Sequence, residues 1–553
     1  MSLPTRRRRR GLRPVSSILV SEAVTEAGAG SGKGAVCAPP IPAPGPARTL
    51  LLGVPRRGRR WPGALRAAAA VALPGLAGLA LGHGPVAATV ALGAFAVVYG
   101  EGRAYRARWK VVLFVAAALV ALAGVGAGVG VLVQTGAPET WLLLVAVMTA
   151  VVAVGAFLVD ALRFGAPGAF LPLLTLEIAA ALPSAGVPVV AVVSWTAAGA
   201  GTAVLVSMSG VVLRPRTPER VAVAAAVSAV DTCLRAPAAL GPRHEAVRAL
   251  HAAWMCLHDG RIGESDHPLA RTLRAAHLRL ATLVAGADEG AASETDDLRP
   301  QPPLPRPSVR YRLARAARPG SRSWTIVVRL AVAGPVAGAL ALAGGVGRPD
   351  WAVITAAMVL HQGPDRVLGS YRGLHRFAGT VVGLGVLAAV VWAAPTAVGV
   401  VVVVAVLLAG TEEYLVRNYG VAMVFITPLA LLLGSGGVPH NFTVVARDRL
   451  LETVIGVFVA VAVLWFVLPS AHRRVLRFAD ARVAETVATI VHARAAGERT
   501  ALPELCRDLE FDLHAATTAA IVAAHSEPAW TRDRWPEHRR LHETGYRVLT
   551  HPG

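Results

Sequence analysis

Two short basic motifs stand at similar places in the two halves of the sequence. Residues 105–110 and 371–376 both read Tyr-Arg-x-x-x-basic, and each motif opens a long apolar segment. A guanidinium group at the mouth of a transport path attracts anions and pairs with carboxylates. The motifs therefore predict sites along an anion path, with plain charge asymmetry between the two sides of a membrane as the alternative. The candidates are Tyr105, Arg106, Arg108, Tyr371, Arg372 and Arg376.

Three further residues are candidates because of their position in apolar segments. Trp351 begins a short apolar segment, and Arg449 and Glu452 lie one helical turn apart at the start of the last one. Ionisable groups at membrane depth are functional candidates, so Glu452 is a candidate proton carrier with Arg449 beside it. The alternatives, which we favour, are a surface pair at the outer interface for Arg449 and Glu452 and an interface anchor for Trp351.

Motifs for catalysis, nucleotides or metals are incomplete. The glycine-rich stretch 28–34 lacks the first glycine and the Ser or Thr of a phosphate loop. His538 and His542 have the i,i+4 spacing of a zinc pair, but the Glu of His-Glu-x-x-His is missing, so we interpret them as an exposed helix face. We expect no cofactor, no metal and no enzymatic activity.

The composition predicts a membrane protein. The chain has 553 residues, of which 54% are hydrophobic and 16% are charged, whereas soluble proteins carry about 25% charged residues. The formal net charge is +21. An excess of Lys and Arg in cytoplasmic loops explains this charge better than nucleic-acid binding does.

The pattern along the chain predicts an all-α polytopic membrane protein with five regions. Two sets of about six apolar segments are separated by a polar region, and a second polar region ends the chain. The predicted regions are a disordered basic tail (1–60), a first transmembrane block (61–213), a cytoplasmic helical domain with linker (214–323), a second transmembrane block (324–469) and a cytoplasmic C-terminal helical domain (470–553).

The loops predict the orientation. Basic residues cluster in alternate loops, around 103–110, 163, 366–376 and 417, and the loops between them are nearly bare. The positive-inside rule then places both termini and the central domain in the cytoplasm of a cell whose inner (plasma) membrane holds the protein. Two even-numbered blocks enter the membrane the same way up, which makes a parallel repeat.

The second apolar segment is short in both blocks. It begins after Pro85 in the first block and after Pro349 in the second, and it ends near Gly100 and His361. Paired short or broken segments in two halves indicate a transport site; the alternative is that the bounds are drawn too tightly around the prolines. The starts of such helices carry unpaired N–H groups, which suit a carboxylate.

Four strings in the second block are typical of a known family. They are Trp351-Ala-Val-Ile-Thr-Ala, Tyr371-Arg-Gly-Leu-His-Arg-Phe-Ala-Gly-Thr-Val-Val-Gly, Asn418-Tyr-Gly-Val-Ala and Arg449-Leu-Leu-Glu-Thr-Val-Ile-Gly. With these strings, the two six-helix blocks and the cytoplasmic insert and tail, the chain from residue 62 onward resembles the fusaric-acid-resistance (FUSC) and aromatic-acid-exporter proteins, most strongly over residues 345–470. The first block departs from the pattern, because its third segment has no Gly-Thr pair.

The resemblance implies a membrane transporter that exports aromatic or other organic acids by using an ion gradient. A passive anion channel on the same scaffold is an alternative, and a non-transporting membrane scaffold for envelope enzymes is another. The expected partners are an organic anion substrate, the lipid bilayer and further copies of the chain in a homo-oligomer.

Overall fold

The computed structural model describes residues 53, 61–165, 167–235, 240–286, 302–439 and 441–550, so all but residue 53 of the predicted tail 1–60 lies outside the described residues. Every regular element in the described part is helical, which confirms the all-α class. Eight of these helices are long and apolar enough to cross a membrane, and the protein is a multi-pass membrane protein.

The first half contains six apolar helices in the order long, short, long, long, short, long. They are α1 (Trp61–Ala80), α2 (Val86–Val98), α3 (Tyr105–Val133), α4 (Pro138–Leu162), α5 (Phe170–Ala185) and α6 (Val189–Val212). The second half repeats this order. Its helices are α11 (Arg322–Ala343), α12 (Asp350–Leu360), α13 (Arg366–Ala393), α14 (Ala397–Tyr414), α15 (Tyr419–Gly434) and α16 (Phe442–Phe466).

The two halves pack by the same rules. In each half the second helix packs on the sixth, and the third helix packs on the fifth and sixth. Between the halves, α1 packs on α14 and α11 packs on α4, so the first helix of each half contacts the fourth helix of the other. The sequence repeat therefore has a counterpart in the packing.

The four short helices occupy the interior of the bundle. Every residue of α12 is buried, and so are nearly all residues of α5 from Phe170 onward. The large apolar side chains that remain exposed in the described part of both halves belong instead to long helices and to the ends of the bundle, for example Phe114, Leu205 and Phe458. Burial on all sides explains why the short helices are apolar on every face apart from a few polar residues such as Glu177 and Asp350, while the long helices face lipid.

Two three-helix domains follow the two halves. Helices α7 (Thr217–Arg235), α8 (Leu240–Asp259) and α9 (Pro268–Gly286) enclose the central domain core around Trp254. Helix α10 (Val309–Ala316) then leads into the second half. Helices α17 (Ala471–Ala495), α18 (Leu502–Ser526) and α19 (Pro528–Thr550) enclose the core of the C-terminal domain. Both domains contact the end of the bundle where the arginine-rich loops lie, which we call the basic end.

Candidate functional site

The start of helix α12 lies deep inside the bundle. Helix α12 has 11 residues, and at 1.5 Å per residue it is only ~16 Å long against a hydrocarbon core of ~30 Å. Its last turn reaches the basic end, where Gln362 accepts a hydrogen bond from Arg322. The first turn of α12, with Asp350 and Trp351, therefore lies near the middle of the bundle.

Arg449 lies over the indole ring of Trp351 at this depth. The guanidinium carbon is 3.6 Å from the ring centroid, and the two residues are 2% and 3% exposed. The Nε and Nη1 atoms of Arg449 are buried without a hydrogen-bond partner. The interpretation of Trp351 as an interface anchor is therefore wrong, because its ring lies under a buried cation and away from the membrane surface.

Glu452 follows Arg449 by one helical turn and is also buried. Glu452 is 1% exposed, and its Oε1 has no hydrogen-bond partner. The two residues interact electrostatically. The interpretation of this pair as an exposed surface pair is wrong, because helix α16 packs this face against α12 and α13.

Arg376 and Arg372 approach the same region from the basic end. Arg376 is 0% exposed; its Nη1 donates to Met423 Sδ at 2.8 Å, and its Nε has no partner. Arg372 is half-buried, and its Nε donates to the carbonyl of Val359 at 3.1 Å. The sequence had placed both arginines at the mouth of the path, but the one-turn spacing along α13 carries Arg376 into the interior. We call Arg372, Arg376 and Arg449 the arginine column.

The arginine column differs from an arginine that serves only to hold helices together. Arg329 is also buried, but it donates to the carbonyl oxygens of Pro364, Leu464 and Val467 at 3.0–3.2 Å. Arg376 and Arg449 have no such set of oxygens, and they repel each other electrostatically. A buried cation without a matching acceptor is costly, and an anionic ligand would relieve that cost.

The aromatic candidates lie beside the column. Tyr419 begins α15, its hydroxyl is buried without a hydrogen-bond partner, and it interacts electrostatically with all three arginines of the column. Tyr371 is half-buried on α13. Trp351 and Tyr419 thus bring an aromatic face and a phenol to the same buried cations, which suits the recognition of a ring with an acid group.

A second ion cluster, which the sequence reasoning missed, lies at the start of α12. Arg348 Nη2 is 2.6 Å from Glu177 Oε1 and 2.7 Å from Asp350 Oδ2. Both carboxylate side chains are fully buried, whereas Arg348 remains about one-third exposed. The available signals were an Arg-Pro-Asp string in an otherwise bare loop and a single acidic residue in an apolar segment. The sequence predicted that the start of α12 would bind the carboxylate of a substrate. Asp350 occupies this first turn, so a carboxylate of the protein itself lies there.

The candidates of the first half lie apart from the column. Tyr105 is half-buried, Arg106 is exposed, and Arg108 is buried with its Nη2 3.0 Å from Glu101. Arg106 and Lys110 line a surface recess beside the central domain. No contact within the described residues joins these side chains to Arg376 or Arg449.

The histidines of the C-terminal domain are not an exposed face. His538 is 7% exposed, and its Nδ1 lies 2.8 Å from Asp480 Oδ1. His542 Nε2 lies 2.9 Å from the hydroxyl of Thr517. Within the part of the chain that the structure describes, no group of three or more His, Cys, Asp or Glu side chains is placed to hold a metal ion. Both histidines instead contact other helices of the same domain.

Comparisons with known proteins show what part of the second half is similar to. Residues 336–463 match the family described as fusaric acid resistance protein-like. A stretch of 156 residues is 31% identical to the uncharacterized membrane protein YvaC of Bacillus subtilis strain 168, and it covers 27% of this chain and 23% of that relative. No solved structure matches the chain. The matched segment, residues 336–463, includes Trp351 and the arginine column.

Proposed function

We propose that the protein is a secondary transporter in the plasma membrane that exports small organic anions, with both termini in the cytoplasm. The family domain and the eight spanning helices support membrane transport as the general activity. The distribution of basic loops supports the orientation. We propose no enzymatic activity, and the partners are the anion, the lipid bilayer and, in a homo-oligomer, further copies of the chain.

The observation that carries this proposal is the pair of buried cations Arg376 and Arg449. Neither forms an ion pair with a carboxylate of the described residues, and both lie inside the membrane-embedded bundle. Holding a charged group there without a partner costs several kcal/mol. A carboxylate that moves along the column would lower this cost, so the arrangement favours passage of anions over cations.

Glu452 supplies a candidate link to the proton gradient. A carboxyl group inside a spanning helix is a candidate to take up and release a proton. Its interaction with Arg449 links proton binding at Glu452 to anion binding at Arg449. Export requires the anion and the proton to move in opposite directions, so Glu452 would take up an external proton after the anion has left and release it inside before the next anion binds.

Reconstituted protein in proteoliposomes tests the proposal directly. We expect the full chain to accumulate radiolabelled benzoate against its gradient when a pH difference is imposed. Arg376→Gln should lower the initial rate by about 100-fold, because a lost contact to a buried charge is worth about 3 kcal/mol. Glu452→Gln should abolish accumulation and keep exchange of benzoate across the membrane.

Arg447→Gln is the matched control, because Arg447 is exposed on the same helix two residues before Arg449. It removes the same charge and should transport as the wild type does. If the wild type carried benzoate passively, at a rate that does not depend on the pH difference, the protein would be an anion channel and not an exporter. No flux of any anion tested, with correctly folded protein, would leave only a scaffold role.

A further inference from the structure

A chamber of about 550 Å³ lies at the basic end, outside the arginine column. Its walls come from the ends of α4 and α11, the segments that follow α12 and α14, the linker helix α10, and helices α17 and α18 of the C-terminal domain. Its volume is within the range of ~300–1,000 Å³ that small-molecule sites occupy. It is the place where the C-terminal domain meets the membrane bundle.

The chamber is strongly basic. Arg163, Arg312, Arg315 and Arg322 line it, and Asp160 is the acidic residue among its described lining. Two of these arginines are already neutralised: Arg322 pairs with Asp160 at 3.0 Å, and Arg315 pairs with Asp512. The charge that remains belongs to the other two.

Arg163 and Arg312 have no carboxylate partner among the described residues. Arg312 donates to the carbonyl of Leu162 at 3.0 Å, but its Nε is buried without a partner. Arg163 lies 3.9 Å above the ring of Phe511. Two guanidinium groups without a carboxylate partner at the wall of one cavity favour a ligand with two negative charges.

The rest of the wall is aromatic and apolar. Phe478 and Phe511 line the side formed by the C-terminal domain, together with small residues of α18 such as Ala515 and Ala519. Such a surface binds a compact, strongly hydrated anion weakly, whereas it can pack closely against a flat aromatic ring. Cations on one side of the cavity and aromatic rings on the other therefore favour a ligand that has both negative charge and an aromatic ring.

We propose that this chamber is a cytoplasmic binding site for an aromatic dicarboxylate, separate from the transport path. Its carboxylates would pair with Arg163 and Arg312, which belong to the bundle end and the linker, while its ring packs against Phe478 and Phe511 of the C-terminal domain. The bound ligand would thereby fasten this domain to the bundle. The site does not depend on the proposed transport function.

Calorimetric titration of the full-length protein in detergent tests the site, with phthalate as the probe. We expect binding to the wild type and at least a ten-fold weaker affinity for the double variant Arg163→Gln, Arg312→Gln. Arg310→Gln is the matched control, since Arg310 is exposed on the same helix as Arg312, and its affinity should equal that of the wild type. Hydrogen exchange in 502–526 should slow when phthalate is added.

Two further measurements separate the chamber from the arginine column and from simple charge. The double variant Arg376→Gln, Arg449→Gln should keep the chamber affinity for phthalate, and loss of binding there would place the ligand in the membrane site and overturn the proposal. Inorganic phosphate should bind at least ten-fold more weakly, and equal affinity would refute the requirement for a ring.

Unchanged phthalate binding in the double variant Arg163→Gln, Arg312→Gln, or no binding to the wild type, also overturns the site. Arg163→Lys with Arg312→Lys keeps both charges, and retained binding in that variant would show that a loss in the Gln variant is not misfolding.

Discussion

The two membrane halves share a packing scheme but differ in what they bury. In the second half, Gly456 lets α16 approach the carbonyl of Ala352, and a Cβ there would lie 2.6 Å from that oxygen. In the first half, Gly199 lets α6 approach the carbonyl of Val90 in the same way. Thr453 and Thr196 each donate to the carbonyl four residues earlier, at 2.7 Å in both cases. The two helix pairs are therefore equivalent.

This equivalence shows which positions carry the chemistry. Three residues before Gly456 and Gly199 stand Thr453 and Thr196, and four residues before these stand Arg449 and Val192. Trp351 likewise corresponds to Thr89, one residue before the approached carbonyl. The first half thus has an aliphatic and a small residue where the second half has a cation on an indole ring. At these equivalent positions the repeat supplies the scaffold, and only the second half adds a buried charge.

The same difference extends to the two soluble domains. The buried polar residues of the central domain include Glu219 and His277, whereas the C-terminal domain buries a larger set of ionisable groups. That set includes His472, Asp480, Arg482, Asp508, Asp512 and His538. From the described residues we therefore expect pH to affect the C-terminal domain more than the central domain.

The largest effect, on the transport rate, is expected from replacing Arg449, the buried cation that the first half lacks at the equivalent position. Arg449→Gln should lower anion transport by about 100-fold, whereas Val192→Ala, at the equivalent position, should change the transport rate less than two-fold, because loss of a buried charge contact is worth about 3 kcal/mol. Initial rates in proteoliposomes at equal protein content measure both. Equal losses in the two variants would mean that the halves contribute alike and that Arg449 has no special role.

A smaller effect is expected where the halves are alike. Gly199→Ala and Gly456→Ala should both lower the thermal midpoint, by an amount that corresponds to about 1–3 kcal/mol, because an added methyl group meets backbone atoms of the short helix. Gly201→Ala is the control, since nothing lies within 4 Å of a Cβ at that position. Thermal unfolding followed by size-exclusion chromatography measures the three variants. A wild-type midpoint for either of the first two would contradict the close approach.

The smallest effect concerns pH and the C-terminal domain. Burial, reinforced by the charges of Glu504 and Asp512, raises the pKa of Asp508 from 3.8 to about 7. A raised carboxyl pKa means that the folded domain holds a proton that the unfolded chain releases. The contribution of Asp508 to stability is therefore largest below about pH 4 and is lost as the pH rises to about 7. Asp508→Asn should therefore make protection of α18 against hydrogen exchange less dependent on pH between 5 and 8, after correction for intrinsic rates.

Asp533→Asn controls for the loss of a charge, because Asp533 is exposed in the same domain. This variant should keep the pH dependence of the wild type. If Asp508→Asn retained the full dependence as well, another group in the domain would be responsible.

The sequence by itself determined the class of the molecule and the location of its unusual segments. Long apolar runs predict spanning helices because hydrocarbon offers no hydrogen-bond partners, and basic loops predict an orientation. The strings around Trp351 and Arg449 indicated the family resemblance. The prolines and glycines of the sequence also marked the short second helix of each half, after Pro85 and after Pro349. These are local features, which a linear pattern records.

Only the tertiary structure decided which of the basic residues are buried. Arg376 and Arg372 lie one turn apart in a similar sequence context, yet one faces the interior fully and the other binds the carbonyl of Val359. Glu177 pairs with Arg348 across 171 residues, and no periodicity reveals such a contact. Burial depends on which helices surround a side chain, and that is fixed by how the two halves pack around the short helices.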